Sequence, residues 1–333
     1  MFYLEVDQAD FHSLIKGLAS KFNTTVTQDK LQVPPYLGKG FIQAIRLPNG
    51  LSVAFGDVAM EADVTIYRKR KEPAFYILGF DEIFIKTRLE QVIGGDSTRF
   101  RPPIYSAAAL HSTMFDNTVI ASRGCIVRSV KIIFDARWLG RYFGVDRDDE
   151  LLMKYISLKS KKLTLEPLDT DYKRYIDDIL STDVNDPVYF TIIENRIMLL
   201  MERFLNRIME KMAGVDHVKL PANDIYKMME VEAELTRDGQ SAPPTAETLA
   251  HTHGMSPTKL KKLFREVYGY PLYEYYQRHR MTKARTLLLS GDYSVKEVGY
   301  ESGYKSLSNF AKAFRQVFDY LPSDIIKTRK YEG

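Results

Sequence analysis

Thr258, Lys259, Lys262 and Arg265 are answered fifty residues later by Ser308, Asn309, Lys312 and Arg315, with Lys261 beside the first set and Lys305, Ser306 and Leu307 just before the second. Lysine can donate to guanine O6 or N7, asparagine can pair with adenine, and hydroxyls serve bases or phosphates. Lys259, Lys305, Arg315 and Tyr304 are placed instead for the phosphate backbone, which sets register rather than sequence preference. This is chemistry for reading the edges of base pairs, and it breaks no bonds. On an isolated helix such a lysine-rich face would ordinarily be no more than a solvated face. The repetition argues for more.

What must hold these side chains out is a pair of apolar stripes. Leu260, Phe264, Arg265 and Val267 fall on Phe310, Phe314, Arg315 and Val317 at a constant offset of fifty. In the first copy Leu260, Leu263, Phe264 and Val267 form the buried face; in the second, Phe310, Phe314 and Val317 do so. The caps are legible. Thr245 opens a helix that Gly254 ends, and Ser256 is an N-cap with Pro257 at the first helical position. Gly269 closes that second helix. Pro271 opens a long helix reaching Ser290-Gly291. Ser294 and Gly303 bracket the next, Ser306 caps the one that runs to Phe318, and Pro322-Ser323 starts a last short helix. Each copy is therefore a short helix, a Gly-containing turn and a second helix with a basic outer face, the pattern of a helix-turn-helix.

Charge follows the same division. Residues 242–333 hold 15 Lys and Arg against 9 Asp and Glu, whereas residues 1–241 hold 32 against 34. A modest basic excess in the repeat suits a phosphate-facing surface. With 333 residues, 45% apolar and 27% charged, the chain has room for two domains and a connecting segment. No apolar run approaches the roughly 18 residues of a membrane helix. The first residues lack the basic and apolar regions of a secretion signal. A single cysteine, Cys125, excludes an internal disulfide and fits a reducing cytoplasm.

Residues 1 to about 135 read mainly as strands: Thr24–Val26, Gly40–Arg46, Leu51–Phe55, Glu61–Arg68, Ala74–Phe80, Glu82–Thr87 and Ile126–Phe134. Asp63, Thr65 and Tyr67 alternate with Val64 and Ile66 as on a half-buried strand. An antiparallel sandwich or barrel is expected. Helices are expected at 136–143, 148–157, 169–180, 186–212 and 224–237. The helix over 186–212 has a broad apolar face, so its own domain or a second copy of the chain must cover it. Gln240-Ser241-Ala242-Pro243-Pro244 reads as a linker.

An enzyme is the first rival. Outside the repeat the histidines are His12, His111 and His217, none in a metal-binding pair. His251 and His253 sit at a helix end and would not share a face. No phosphate loop or nucleophile elbow is present, and Cys125 reads as a buried strand residue. No catalytic, metal or cofactor site is expected. Tyr36, Phe41, Phe55, Tyr67, Tyr76 and Trp138 are candidate pocket walls, and equally ordinary core.

The segment from about Asp224 to Lys330 resembles the DNA-binding domain of the AraC/XylS transcription regulators. The resemblance rests on Ser256-Pro257-x-x-Leu260-x-x-Leu263-Phe264 and on Met281-x-x-Ala284-Arg285-x-Leu287-Leu288. It continues in Val298-Gly299-Tyr300-x-x-Gly303-Tyr304, Ser308-Asn309-Phe310-x-x-x-Phe314 and Pro322-Ser323. Asp319 stands where the family usually has Gly, and Val298-Gly299 where Ile-Ala is common. The resemblance implies an α+β chain. A cupin-like β-barrel or sandwich for an effector would span 1–165, dimerising helices 166–221, and an all-α double helix-turn-helix domain 222–333. It also implies double-stranded DNA in two adjacent major grooves about 34 Å apart along the duplex. A small-molecule effector, a homodimer through 187–212 and RNA polymerase, if transcription is activated, would be further partners. An effector-independent dimer whose N-terminal half serves only dimerisation or protein contacts stays open.

Overall fold

Runs of β-branched and aromatic residues before residue 135 build two sheets in the computed structural model, which describes residues 2–6, 10–72, 75–100, 102, 104–144, 164–212, 220–237 and 243–331. The smaller sheet contains β1 (Phe2–Val6), β6 (Val64–Arg68), β11 (Asn117–Ala121), β8 (Leu89–Ile93) and β9 (Asp96–Phe100), in that spatial order. The larger runs β13 (Thr164–Pro167), β10 (Ile104–Ser112), β7 (Tyr76–Phe84), β12 (Ile126–Phe134), β5 (Ser52–Met60), β4 (Gly38–Arg46), β3 (Lys30–Gln32) and β2 (Val26–Thr27). All pairings are antiparallel except β1 with β6. Among the described residues both sheets are open, so the architecture is that of two sheets rather than a closed ring.

The central strands are covered on both faces, which explains why they read as continuous apolar runs. Helix α1 (Phe11–Lys21) lays Phe11 and Ile15 on Ala44, Ala54, Ile77 and Ile133. Phe80, three residues from Ile77 and therefore on the opposite face, meets Phe204 edge-on at 6.3 Å.

Several strand expectations need correction. The strands expected at 74–80 and 82–87 fall on one strand, β7, with Ala74 outside the described residues and residues 85–87 past its end, because the apparent break at Asp81 is a buried carboxylate taking a 2.6 Å hydrogen bond from Lys131 Nζ. Thr65 is buried beside Val64, so the alternation on β6 is not clean. Helix α1 lies where strands were expected, its N-cap Asp10 accepting from the His12 and Ser13 amides. Helix α2 (Ala136–Phe143) forms as expected, whereas the helix expected at 148–157 lies outside the described residues.

The chain divides into two compact units, Met1–Leu168 with Asp178–Lys219, and Asp169–Asp177 with Leu220–Gly333. Residues 166–221 are thus shared between them. Helix α3 (Thr170–Ser181) spans the division, and α4 (Tyr189–Met212) belongs to the first unit. The apolar face of α4 is buried at Ile193, Ile197, Leu200, Met201, Phe204, Leu205 and Ile208, with Phe204 set against Phe80 of the same unit. Arg207 closes the contact with a 2.9 Å ion pair to Glu166.

The second unit is helical: α5 (Ala222–Leu235), α6 (Ala246–Thr252), α7 (Pro257–Tyr268), α8 (Leu272–Ser290), α9 (Val295–Glu301), α10 (Leu307–Phe318) and α11 (Pro322–Tyr331). It has two cores. Leu249, Leu260, Phe264 and Val267 pack with Met228, Val231 and Leu235 of α5; Val298, Phe310 and Phe314 pack with Met281, Ala284 and Leu288 of α8. Helix α8 serves both, since Tyr275 near its start belongs to the first core. Among the described residues no helix is long and apolar enough to cross a membrane.

Candidate nucleic-acid interface

Each half of the second unit is a helix, a left-handed glycine and a second helix. Thr245 Oγ1 accepts from the Thr248 amide, and the chain leaves α6 through Gly254 at φ 63°. Ser256 Oγ then accepts from the Lys259 amide at 3.2 Å, and Gly269 closes α7 at φ 80°. In the second half Ser294 and Glu297 form a reciprocal capping box. The Ser294 amide and hydroxyl hold the Glu297 carboxyl below the usual carboxylate range. Gly303 makes the turn at φ 75°, and Asp319 closes α10 at φ 65° with its amide donating to the Arg315 carbonyl. Asp therefore does take the left-handed position that glycine fills after α7, as its short polar side chain allows. Gly299 is tighter than a turn requires. A Cβ there would lie 2.8 Å from Leu307 Cδ2.

The apolar stripes point inward as expected, with Leu260, Phe264, Phe310 and Phe314 fully buried. That geometry leaves Thr258, Lys259, Lys261, Lys262 and Arg265 exposed on α7, and Leu307, Ser308, Asn309, Lys312 and Arg315 exposed on α10. Lys305 is exposed in the turn before α10, and Ser306 is half-buried. Ser306 occupies the N-cap position, but its side chain makes no capping bond, in contrast to the expected cap. Tyr304 is engaged elsewhere: its hydroxyl donates to Gln277 Oε1 at 2.8 Å and its ring packs on Phe310.

Three of the lysines on α7 have acidic neighbours that the sequence reading missed. Lys259 lies 3.8 Å from Asp224, Lys261 3.8 Å from Glu247, and Lys262 3.8 Å from Glu266. Only the last pair is visible from spacing, as an i, i+4 pair. Among the described residues Arg265, Lys305, Lys312 and Arg315 make no ion pair. A second omission is Arg280, whose guanidinium donates to the Ser302 carbonyl and sits 4.6 Å over the Tyr304 ring. It fastens the second turn to α8.

The scaffold beneath is braced by a buried polar group. Glu232 on α5 takes a 2.7 Å bond from Lys173 and a 3.0 Å bond from the Tyr275 hydroxyl. Burial first, and then the Glu232 charge, push that hydroxyl well above its ordinary pKa. His253 stands 3.0 Å from Glu234, while His251 is exposed, so the two histidines do not converge.

The aromatic candidates for a ligand pocket do not converge either. Phe55 is core, Tyr36 is exposed, Phe41 lies under Lys30, Tyr67 is stacked on Tyr3, and Tyr76 packs against Phe134.

Comparison with known proteins points to the same part of the chain. Residues 249–328 match the family model described as a helix-turn-helix domain. Over 112 residues the chain is 32% identical to the HTH-type transcriptional regulator GlxA of Rhizobium meliloti, covering 34% of this chain and 32% of that protein. It is 32% identical over 83 residues to the HTH-type transcriptional activator RhaS of Citrobacter koseri, covering 25% and 30%. The chain thus spans about a third of the length of these curated relatives. A solved AraC-type DNA-binding regulator from Chromobacterium violaceum is 25% identical, with 34% of this chain and 100% of that chain covered and a TM-score of 0.30.

Proposed function

Residues 249–328 being an AraC-type helix-turn-helix domain, we propose that this protein is a sequence-specific DNA-binding transcription regulator rather than an enzyme. One observation carries the reading. Two capped units, fifty residues apart, bury matching aromatic cores against one long helix and turn matching polar and cationic faces outward. Helices α7 and α10 enter two successive major grooves. Lys261, Lys262, Ser308, Asn309 and Lys312 reach base edges; Thr258, Lys259, Arg265, Lys305, Ser306 and Arg315 hold phosphates, and Leu307 supplies apolar contact.

The first unit senses a small molecule, and its occupancy biases the DNA-binding unit by roughly 1–3 kcal/mol. Two copies pair through the outer face of α4, where Phe190 and the adjoining Val188 remain exposed although the inner face is buried. The regulator acts in the cytoplasm and meets RNA polymerase where it activates.

Selection of bound sites from a random DNA pool with the full chain tests this. The expected product is a site with two short boxes about one helical turn, roughly ten base pairs, apart. Salt-sensitive binding without any enriched sequence would refute it.

A further inference from the structure

Where the β4–β5 turn, the end of β12 and helix α2 meet, the first unit holds a cavity of about 460 Å³. Its walls include Arg46, Arg137, Arg141, Trp138, Phe75 and Phe134. This volume lies in the range of small-molecule sites. Arg46, Arg137 and Arg141 line one concave surface together with three aromatic residues, and an arginine gains most where an anion answers it.

Among the described residues the charges are only partly answered. Arg46 reaches Asp10 at 3.7 Å and Arg137 reaches Asp135 at 3.5 Å, both beyond hydrogen-bond length. Each of those carboxylates is already committed to a helix cap. Asp10 accepts from the His12 and Ser13 amides, and Asp135 accepts from the Trp138 amide at 2.7 Å. Arg141 makes no ion pair among the described residues. Among the described residues, three cations thus face two carboxylates, each of which already gives at least one oxygen to a helix cap.

The apolar wall is fixed in place. Trp138 Nε1 donates to the Asn49 carbonyl at 2.9 Å, and its ring stacks on Tyr142 at 4.7 Å and 24°. Phe134 leans on it at 6.1 Å. A ring locked by a hydrogen bond and a stack costs little further ordering when a ligand packs on it.

We propose that this cavity binds a small organic acid, its carboxylate or phosphate group forked by Arg137 and Arg141 and its apolar body lying against Trp138. The site gives a ligand class to the sensing part of the function proposed above, and it rests on that reading only for its regulatory meaning. Binding itself is measured without DNA.

Trp138 is the only tryptophan of the chain, so its emission reports this cavity alone. The full protein would be titrated with 4-phenylbutanoate, phenyl phosphate, the neutral analogue 4-phenylbutanol and inorganic phosphate. Saturable change in Trp138 emission with one or both of the first two is expected, and which of them binds more tightly names the acid group. The alcohol is expected to bind at least roughly tenfold more weakly, as loss of a charge-assisted hydrogen bond implies. Arg141→Gln and Arg137→Gln, both at exposed positions, should each weaken the acid by a similar factor while leaving the alcohol unchanged. No saturation by either acid, equal binding of acid and alcohol, or indifference to both substitutions would overturn the proposal. Binding of inorganic phosphate as tight as that of the organic acids would overturn the part assigned to Trp138. Loss of sequence-specific DNA binding, by contrast, would leave these results untouched.

Discussion

His111→Gln isolates a pH dependence that the first unit builds into its interior. His111 lies on β10, 5% exposed, with Nε2 3.1 Å from Asn117 Nδ2. With the Asn117 amide donating, the ring proton sits on Nδ1, which has no hydrogen-bond partner among the described residues. Burial, then the nearby charges of Arg68 and Lys131, hold the imidazole down at about 3. An unfolded histidine titrates near 6.5, so as pH falls below that value the unfolded chain takes up a proton that the folded chain refuses. The stabilisation is complete above the unfolded pKa and is lost on acidification towards the folded one. Each pH step in that window costs about 1.4 kcal/mol. Between neutral pH and a pH of about 5 the sum is roughly 2 kcal/mol, a large share of a typical domain's roughly 5–15 kcal/mol. Glutamine can keep the bond to Asn117 and does not titrate. Urea melts followed through Trp138, which also lies in the first unit, should show the parent losing roughly 2 kcal/mol more than His111→Gln over that range. Parallel stability curves for the two proteins would refute the account of a histidine buried neutral.

The other expected outcomes concern the helical unit and the proposed dimer. Lys312→Ala and Lys261→Ala should each weaken binding to a selected site by about 1–3 kcal/mol where the side chain reads a base; unchanged affinity at both, by fluorescence anisotropy, would rule out the groove assignment. Phe264→Ala and Phe314→Ala each empty a fully buried position and should cost about 3–5 kcal/mol, read as an earlier melt of the helical circular dichroism signal. Lys173→Met should cost about 3–5 kcal/mol by leaving the buried Glu232 carboxylate without its cation, whereas the double variant with Glu232→Gln should recover most of the loss. Additive losses would contradict a paired role. Glu202→Lys, at an exposed position on α4, should move the sedimentation profile towards the monomer; an unaltered profile would exclude that face as the interface.

The second unit was legible because its constraints are local. Thr245, Ser256 and Ser294 sit one residue before their helices, Gly254, Gly269 and Gly303 take positive φ, and an aromatic stripe at helical spacing needs no distant partner to be recognised. The first unit was legible only in class. Asp81 reads as a strand breaker until Lys131, fifty residues away, is brought beside it. Helix α1 covers strands formed later in the chain, so its amphipathic face has no local meaning. The cavity on that unit was missed for the same reason. Arg46 stands on a strand and Arg137 and Arg141 on a helix ninety residues later, and only Trp138 was on the list of candidate walls. The acidic neighbours of the α7 lysines show the limit within the helical unit itself. Asp224 and Glu247 come from other helices, and no pattern along α7 announces them.

Those neighbours make the two halves of the DNA-binding unit electrostatically unequal. Protein–DNA affinity is largely an exchange of counterions, with a salt dependence of about 0.9 per phosphate neutralised. A lysine that already has a carboxylate 3.8 Å away starts from a partly neutralised state, and a phosphate must displace that carboxylate. Such exposed pairs are individually weak, at roughly 0–1 kcal/mol, yet three fall on α7, whereas Lys305, Lys312 and Arg315 face no acid among the described residues. On the proposed reading, the second half should therefore contribute the larger share of nonspecific, salt-sensitive attraction. On that reading too, Lys261 and Lys262 leave their acids only where a base-edge contact repays breaking the pair, and Lys259 exchanges Asp224 for a phosphate. Removing Lys312 should then flatten the salt dependence of binding more than removing Lys261, even where the two cost the same affinity at one salt concentration.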